Sequence, residues 1–151
     1  SLFQACTKIG AITAGADRTT IDIFEHFGRY LGICFQIRDD IFDYYKVDIG
    51  KPTGSDIREG KITLPLIYAL DHVPEDISRE MLQIITSHDY SSQNIDKLLT
   101  FAKENGGIDY AYAKMDEYLS KARELVADFS FSDELKLLMK DLLFYLKVRH
   151  Y

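Results

Sequence analysis

Apolar residues recur at three- and four-residue intervals along most of this chain, and this spacing restricts the possible folds more than any other feature. No segment alternates polar and apolar residues over enough positions to predict a strand. Thr63, Gly106, Gly107 and Ser132 stand at expected helix ends, where caps and helix breakers are favoured. We therefore expect one all-α body with seven helices, at about 2–16, 20–46, 64–73, 75–88, 92–105, 107–129 and 132–149.

The composition excludes several classes of protein. Hydrophobic residues make up 46% of the chain and charged residues 28%, which is typical of a folded globular domain rather than a disordered one. A net charge of −6 and the lack of a basic stripe argue against a nucleic-acid partner. No apolar run approaches the roughly 20 residues that span a bilayer. Cys6 and Cys34 both lie in apolar helical patterns, which predicts buried free thiols in a reducing compartment.

Within the predicted helix 20–46, the segment 28–45 combines an apolar surface with an acidic stripe. Buried carboxylates one helical turn apart are costly unless something neutralises them, and Mg²⁺ commonly bridges such carboxylates to substrate phosphates. The pattern therefore fits a magnesium site. It also fits an exposed acidic helix end whose glycines serve helix packing. At about 100° per residue the stripe consists of Gly28, Gly32, Gln36, Asp39 and Asp43, with Asp40 at its edge.

A long polar connection, KVDIGKPTGSDIREGKIT over residues 46–63, follows this helix. Long loops inside compact domains are often functional, although a solvated linker would have the same composition. Lys51 and Lys61 each follow a glycine, which lets backbone and ammonium groups approach phosphate oxygens closely. Carboxylates that bind Mg²⁺, together with lysines that bind a diphosphate, would form one phosphate clamp.

The segments FQIRDDIFD and GKPTGSDIREGKITLP together resemble the C-terminal half of the trans-type isoprenyl (polyprenyl) diphosphate synthases. DDIFD, residues 39–43, is similar to the second aspartate-rich motif of that family, and the GK-P-x-G-x-D run is similar to its bacterial members. SLFQACTKIGAITAGA, residues 1–16, resembles the helix before that motif. The resemblance is strong over residues 1–70 and weaker afterwards. It implies half of a bundle of long α-helices around a central cavity, in a protein that is usually dimeric.

The resemblance also implies a reaction. An allylic diphosphate ionises with the help of Mg²⁺, and its carbocation alkylates isopentenyl diphosphate to give a chain one isoprene unit longer. Asp39 and Asp43 match metal-binding positions, with Asp40 bound to the metal directly or through water. Lys51 and Lys61 match lysines that hold the allylic diphosphate and stabilise it as it leaves.

Four further residues match family positions near the substrates. Gln36 corresponds to a glutamine near the reacting prenyl carbons, and Phe35 to a core aromatic beside the site. Asp56 corresponds to a loop aspartate bonded to a lysine or to water, and Thr63 fits a helix cap or a cavity-lining position. The character of the loop leads us to expect a long, octaprenyl-like product. We expect a cytoplasmic enzyme that associates with membranes, because long products are lipids.

The chain also departs from the family pattern, since it carries one aspartate-rich motif where members carry two. We therefore interpret residues 1–151 as the C-terminal part of a polyprenyl synthetase domain, produced by proteolysis or truncation and inactive without its N-terminal half. Half a bundle should expose apolar helix faces and form dimers. The alternatives are a natural non-catalytic partner subunit of a heteromeric synthase, which would not need intact Asp39 and Lys61, and a plain helical interaction domain. If the gene encoded a longer protein with a first DDxxD motif, the interpretation as a partner subunit would be excluded.

Overall fold

The fold is all-α, as expected. The structure is a computed structural model that describes residues 1–45 and 53–147, so Lys51, one of the two predicted diphosphate-binding lysines, lies outside the described residues. Within these ranges the chain contains no strand, and none of its helices is long and apolar enough to cross a membrane. Eight helices form: α1 (Leu2–Thr13), α2 (Arg18–Phe42), α3 (Ser55–Arg58), α4 (Leu64–Asp71), α5 (Glu75–Thr86), α6 (Ser92–Glu104), α7 (Gly107–Leu125) and α8 (Asp133–Lys147).

All seven predicted helices form, and local signals explain several of their ends. The hydroxyl of Ser132 accepts a hydrogen bond from the backbone N–H of Leu135 at 3.3 Å, as an N-cap does. Gly106 ends the turn after α6 with φ +75°, a conformation that favours glycine. The four-residue helix α3 was not predicted, because one turn is too short to show a periodic pattern.

Contacts between residues divide the chain into two compact units. Among the described residues, the first unit combines residues 1–38 with residues 114–147, and the second is the segment 39–113. Helices α2 and α7 each contribute residues to both units.

In the first unit, two glycines of α2 allow α1 to pack closely against it. A Cβ at Gly28 would lie 2.6 Å from the carbonyl oxygen of Phe3, and one at Gly32 would lie 2.7 Å from the hydroxyl of Ser1. Real Cβ atoms do not approach other atoms so closely. The glycines of the acidic stripe therefore serve helix packing, as the second interpretation of the stripe predicted.

An aromatic cluster explains why α7 ends before residue 129. The ring of Phe24 in α2 contacts Phe129 and Phe131 edge-on, with ring centroids 5.4 and 6.4 Å apart. The chain therefore turns after Leu125 and brings both rings back to α2. The core of this unit is otherwise built from buried side chains of α2, α7 and α8: Phe27, Leu31, Cys34, Ile37, Met115, Leu119, Ala122, Leu143 and Leu146.

Apolar side chains are exposed along α8, as expected for half of a helical bundle. Leu135, Leu138, Leu142 and Tyr145 follow a three- and four-residue spacing, which places them on one side of the helix. Their exposed fractions lie between 37% and 60%. Tyr145 also covers the buried Arg38, whose guanidinium carbon lies 4.1 Å from the centroid of the tyrosine ring.

The two cysteines differ in exposure. Cys34 is fully buried, and its thiol donates to the carbonyl of Met115 at 3.5 Å. Cys6 is exposed, so the prediction of a buried thiol was wrong there. The reason is that α1 contacts the glycines of α2 through Phe3 and Thr7, and Cys6 lies away from that side of the helix.

We expect only one of the two thiols of the folded chain to react with a thiol reagent at about pH 8. Burial raises the pKa of the Cys34 thiol to about 12, so almost none of it is ionised at that pH. The neutral Cys34 thiol stabilises the folded chain fully when the pH is below about 9, the ordinary pKa of the group. This stabilisation is lost as the pH rises towards about 12. Titration with a chromogenic disulfide measures both thiols, and the second should react only in denaturant. A Cys6→Ser variant that reacts rapidly while folded would contradict this expectation.

Candidate functional site

The second unit supports the end of α2, helix α3 and the start of α4 on a shared apolar core. Its buried side chains include Tyr44, Leu66, Ala69, Ile95, Leu98 and Ala102. α4 packs against α6 and α5. Gly54 precedes α3 with φ +76°, and a Cβ there would lie 2.5 Å from Ile95, so only glycine fits this position.

Asp43, the last aspartate of DDIFD, binds the beginning of α3. Its Oδ1 accepts hydrogen bonds from the backbone N–H of Ser55 at 2.9 Å and from the Ser55 hydroxyl at 2.7 Å. Its Oδ2 accepts the backbone N–H of Asp56 at 2.9 Å, and its main-chain carbonyl accepts that of Gly54 at 2.9 Å. Asp43 therefore caps α3 in place of Gly54, which has no side chain that could do so. Asp43 lies twelve residues before Ser55, the first residue of α3.

A buried hydrogen bond joins the next residue to the start of α4. The hydroxyls of Tyr44 and Thr63 lie 2.9 Å apart, and both side chains are buried. Burial raises the pKa of the Tyr44 hydroxyl, so it stays neutral and can donate. Thr63 is the N-cap residue of α4, as its position predicted, but its side chain bonds to Tyr44 and not to the helix backbone.

Lys61 is held by two carboxylates close to it in the chain. Its Nζ lies 3.2 Å from Oδ1 of Asp56 and 2.7 Å from Oε2 of Glu59. Its backbone N–H also donates to the carbonyl of Asp56 at 2.8 Å. The hydrogen bonds to Glu59 and Asp56 raise the pKa of the Lys61 ammonium, so this exposed group stays positively charged.

Asp39 and Asp40 occupy the last turn of α2, where Asp39 is exposed and Asp40 is partly buried. Within the described residues, no group of three His, Cys, Asp or Glu side chains is arranged to hold a metal ion. Mg²⁺ usually keeps several waters and is bound by one or two carboxylates plus substrate phosphates, and two adjacent aspartates fit that need. Oδ1 of Asp43 would have to release a donor of Ser55 in order to join them, since both of its lone pairs are already used. The metal-binding roles of all three aspartates stay predictions.

Phe35 and Gln36, the two candidate substrate-binding residues that precede DDIFD, lie on α2. They belong to the first unit, whose part of α2 ends at Arg38. Gln36 is exposed. Phe35 is 43% exposed and packs against Phe3, with ring centroids 5.3 Å apart, so it is a surface aromatic here rather than the core residue that was expected. Their roles towards a prenyl chain stay predictions.

Sequence reasoning missed two residues that organise this region. Tyr44 reaches Thr63, and Ser55 gives Asp43 two donors. A signal for Ser55 was present, since a Gly-Ser-Asp sequence is typical of the start of a helix. The partner of that start lies twelve residues away, which no local pattern reveals.

Comparison with known proteins gives one family. The sequence profile described as polyprenyl synthetase matches residues 1–102. The chain is 33% identical to heptaprenyl diphosphate synthase component 2 of Geobacillus stearothermophilus, over 99% of this chain and 46% of that protein.

Solved structures agree with this assignment. A geranylgeranyl pyrophosphate synthase from Bacteroides thetaiotaomicron superposes with a TM-score of 0.88 and 36% identity, over 98% of this chain and 49% of that one. One from Corynebacterium glutamicum, complexed with isoprenyl diphosphate and magnesium, gives a TM-score of 0.78 and 27% identity, over 93% of this chain and 41% of that one. The chain spans about half the length of the relatives that it matches. The resemblance carried by DDIFD and the loop after it is thus confirmed, and the chain belongs to the polyprenyl synthetase family.

Proposed function

We propose that this chain supplies half of the active site of a Mg²⁺-dependent trans-prenyltransferase, which extends an allylic diphosphate with isopentenyl diphosphate. One observation carries the proposal: the acidic motif is bonded directly to the basic loop. Asp43 holds the backbone of Asp56, and the carboxylate of Asp56 holds the ammonium of Lys61. Carboxylates for a metal and a cation for a diphosphate thus belong to one connected structure.

Different residues of the second unit would bind the metal ion and the diphosphate. Asp39 and Asp40 would hold Mg²⁺, which neutralises negative charge on the diphosphate when it is bound. Lys61 presents a fixed positive charge where the leaving diphosphate gains negative charge, and such preorganised charges lower the barrier to ionisation. Lys51 is proposed to act in the same way.

Residues near the reacting prenyl group are proposed from the family positions alone. Gln36 would contact the reacting end of the prenyl chain and Phe35 its apolar part. The hydroxyl of Thr63 bonds to that of Tyr44, so its proposed contribution is to fix the start of α4 to the end of the DDIFD segment. The relatives include both geranylgeranyl and heptaprenyl enzymes, so the octaprenyl-like product length stays a prediction.

We further propose that this chain is the C-terminal half of its enzyme and needs an N-terminal half with a first aspartate-rich motif. The support is that similar proteins are about twice as long. The complete enzyme is proposed to be a cytoplasmic homodimer that associates with membranes when its products are long. A second candidate is a subunit of a heteromeric synthase, which is favoured by the likeness to one component of a heptaprenyl diphosphate synthase.

The test is a Mg²⁺-dependent assay with labelled isopentenyl diphosphate and farnesyl diphosphate as the primer. We expect no incorporation by the 151-residue chain alone and incorporation by the protein from the complete reading frame. There, Asp39→Ala should lower kcat by about 10²–10³-fold, the usual effect of losing an electrostatic group of the site. The matched control is Asp96→Ala, which removes an exposed carboxylate of α6.

Three outcomes would contradict the proposal in different ways. Incorporation by the isolated chain that Asp39→Ala abolishes would show that the site needs no second half. No incorporation by the complete protein would refute the activity. Equal loss in the Asp39 and Asp96 variants would refute the assignment of the metal site.

A further inference from the structure

We propose that Asp43 is a positioning residue for the diphosphate-binding loop, and that its carboxylate orders α3 instead of binding metal. The part of this inference that concerns Mg²⁺ and diphosphate rests on the proposed function. The part that concerns α3 stands on the hydrogen bonds alone.

The first step is the occupancy of the carboxylate. Both oxygens of Asp43 accept hydrogen bonds, from three donors at 2.7 to 2.9 Å. Bonds to a charged acceptor are short and strong compared with neutral ones. Oδ1 already accepts two donors of Ser55, so a metal ion at Oδ1 would have to displace one of them, whereas Oδ2 accepts only the N–H of Asp56 and keeps a second lone pair. Asp39 is exposed in the last turn of α2, and its carboxylate accepts no such hydrogen bonds among the described residues.

The second step is the need of α3 for this cap. A single helical turn is not stable alone, because forming the first turn costs more than its hydrogen bonds return. The first N–H groups of a helix have no partner within it, and Gly54 has no side chain that could cap them. Asp43 satisfies the N–H groups of Ser55 and Asp56. The other anchor of α3 is Ile57, whose side chain is buried in the core.

The third step is the connection from α3 to the cation. The N–H of Asp56 is fixed by Asp43, and the carbonyl of Asp56 accepts the backbone N–H of Lys61 at 2.8 Å. The carboxylate of Asp56 lies 3.2 Å from Nζ of Lys61. Asp43 therefore acts on the ammonium group through Asp56, without touching a substrate.

The test compares Asp43→Asn, Asp43→Ala and Asp39→Asn with the unmodified chain, and uses Asp96→Asn as the control. Asparagine keeps one acceptor oxygen for Ser55 but cannot accept from Asp56, and alanine keeps neither. Amide hydrogen exchange at Asp56 should therefore become faster by about tenfold in Asp43→Asn, and exchange at both Ser55 and Asp56 should become faster in Asp43→Ala. Asp39→Asn and Asp96→Asn should leave this exchange unchanged. If Asp43→Ala does not fold, Asp43→Asn still carries the test.

The second readout uses the protein from the complete reading frame and is binding of Mg²⁺ alone and of inorganic diphosphate with Mg²⁺, followed by calorimetry and by the NMR signals of Lys61. Asp39→Asn should weaken Mg²⁺ binding by about tenfold or more. Asp43→Asn should leave binding of Mg²⁺ alone unchanged and weaken only the binding of diphosphate, because Lys61 is less well placed.

The two proposals can fail separately. If Asp43→Asn weakens Mg²⁺ binding as much as Asp39→Asn does, while exchange at Ser55 and Asp56 stays slow, Asp43 is a metal ligand and the positioning role is wrong. If neither variant changes Mg²⁺ or diphosphate binding, the proposed function is wrong. In that case faster exchange in Asp43→Asn would still establish that Asp43 orders α3, and unchanged exchange would refute it.

Discussion

Replacing Lys61 by methionine is expected to lower the kcat of the complete enzyme by about 10²–10³-fold, since a fixed charge aimed at a leaving group commonly contributes this much. Methionine keeps most of the volume of the lysine stem and removes the charge. The ion pairs of Lys61 with Glu59 and Asp56 are partly exposed, and such pairs contribute little to stability. The variant should therefore fold normally and lose activity.

Lys97→Met is the matched control for this prediction. Lys97 is a partly exposed lysine of α6 that pairs with Glu80 at 2.6 Å, so its loss removes the same charge at a distance from the loop in sequence. Its kcat should stay within about twofold of the unmodified enzyme. Steady-state kinetics with labelled isopentenyl diphosphate measure both variants. Equal rates in the two would mean that Lys61 does not act on the diphosphate.

Gly107→Ala is expected to lower the free energy of unfolding by about 3 kcal/mol, at the upper end for overpacking a core. A Cβ at Gly107 would lie 2.8 Å from the carbonyl carbon of Pro65 and 2.8 Å from the carbonyl oxygen of Ala102. Both neighbours are backbone atoms and cannot rotate away. The starts of α4 and α7 would have to separate, and α4 would lose its packing against α6.

Gly10→Ala tests the same chemical change without the clash. Gly10 lies within α1, and a Cβ there would have nothing within 4 Å. Alanine should stabilise the helix by up to about 1 kcal/mol because it has a higher helix propensity than glycine. Urea denaturation followed by circular dichroism measures both variants. A similar free energy for Gly107→Ala and Gly10→Ala would refute the close contact with Pro65.

The helices were predictable because their apolar spacing is long and regular, whereas their ends depend on distant partners. α2 was expected to reach residue 46 and ends at Phe42. Beyond that point Asp43 turns its carboxylate to α3 and Tyr44 turns its hydroxyl to Thr63. α7 ends early for a similar reason, since Phe129 and Phe131 return to Phe24. Contacts over such sequence distances leave no periodic trace in the chain.

The residues of the site could be predicted from their types and order, but the different function of each residue could not. The pattern of DDIFD gives Asp39 and Asp43 equal standing, because spacing shows only which side of a helix they share. The structure separates them: Asp39 is exposed, while Asp43 is committed to Ser55 and Asp56. The glycines of the stripe were ambiguous for a related reason, since an empty position suits a ligand or a neighbouring helix, and only the approach of α1 decides between them.

The division into two units has a consequence for the order in which the chain folds during synthesis. The second unit is the continuous segment 39–113, so all of its contacts become available once that segment has left the ribosome. The first unit is completed later, because residues 1–38 pack against one another and also against residues 114–147. Until α7 and α8 are made, Phe27 and Leu31 of α2 lack the partners that those helices supply. Exposed apolar surface of this kind is what chaperones bind, so we expect nascent chains that stop before α7 to depend on them most.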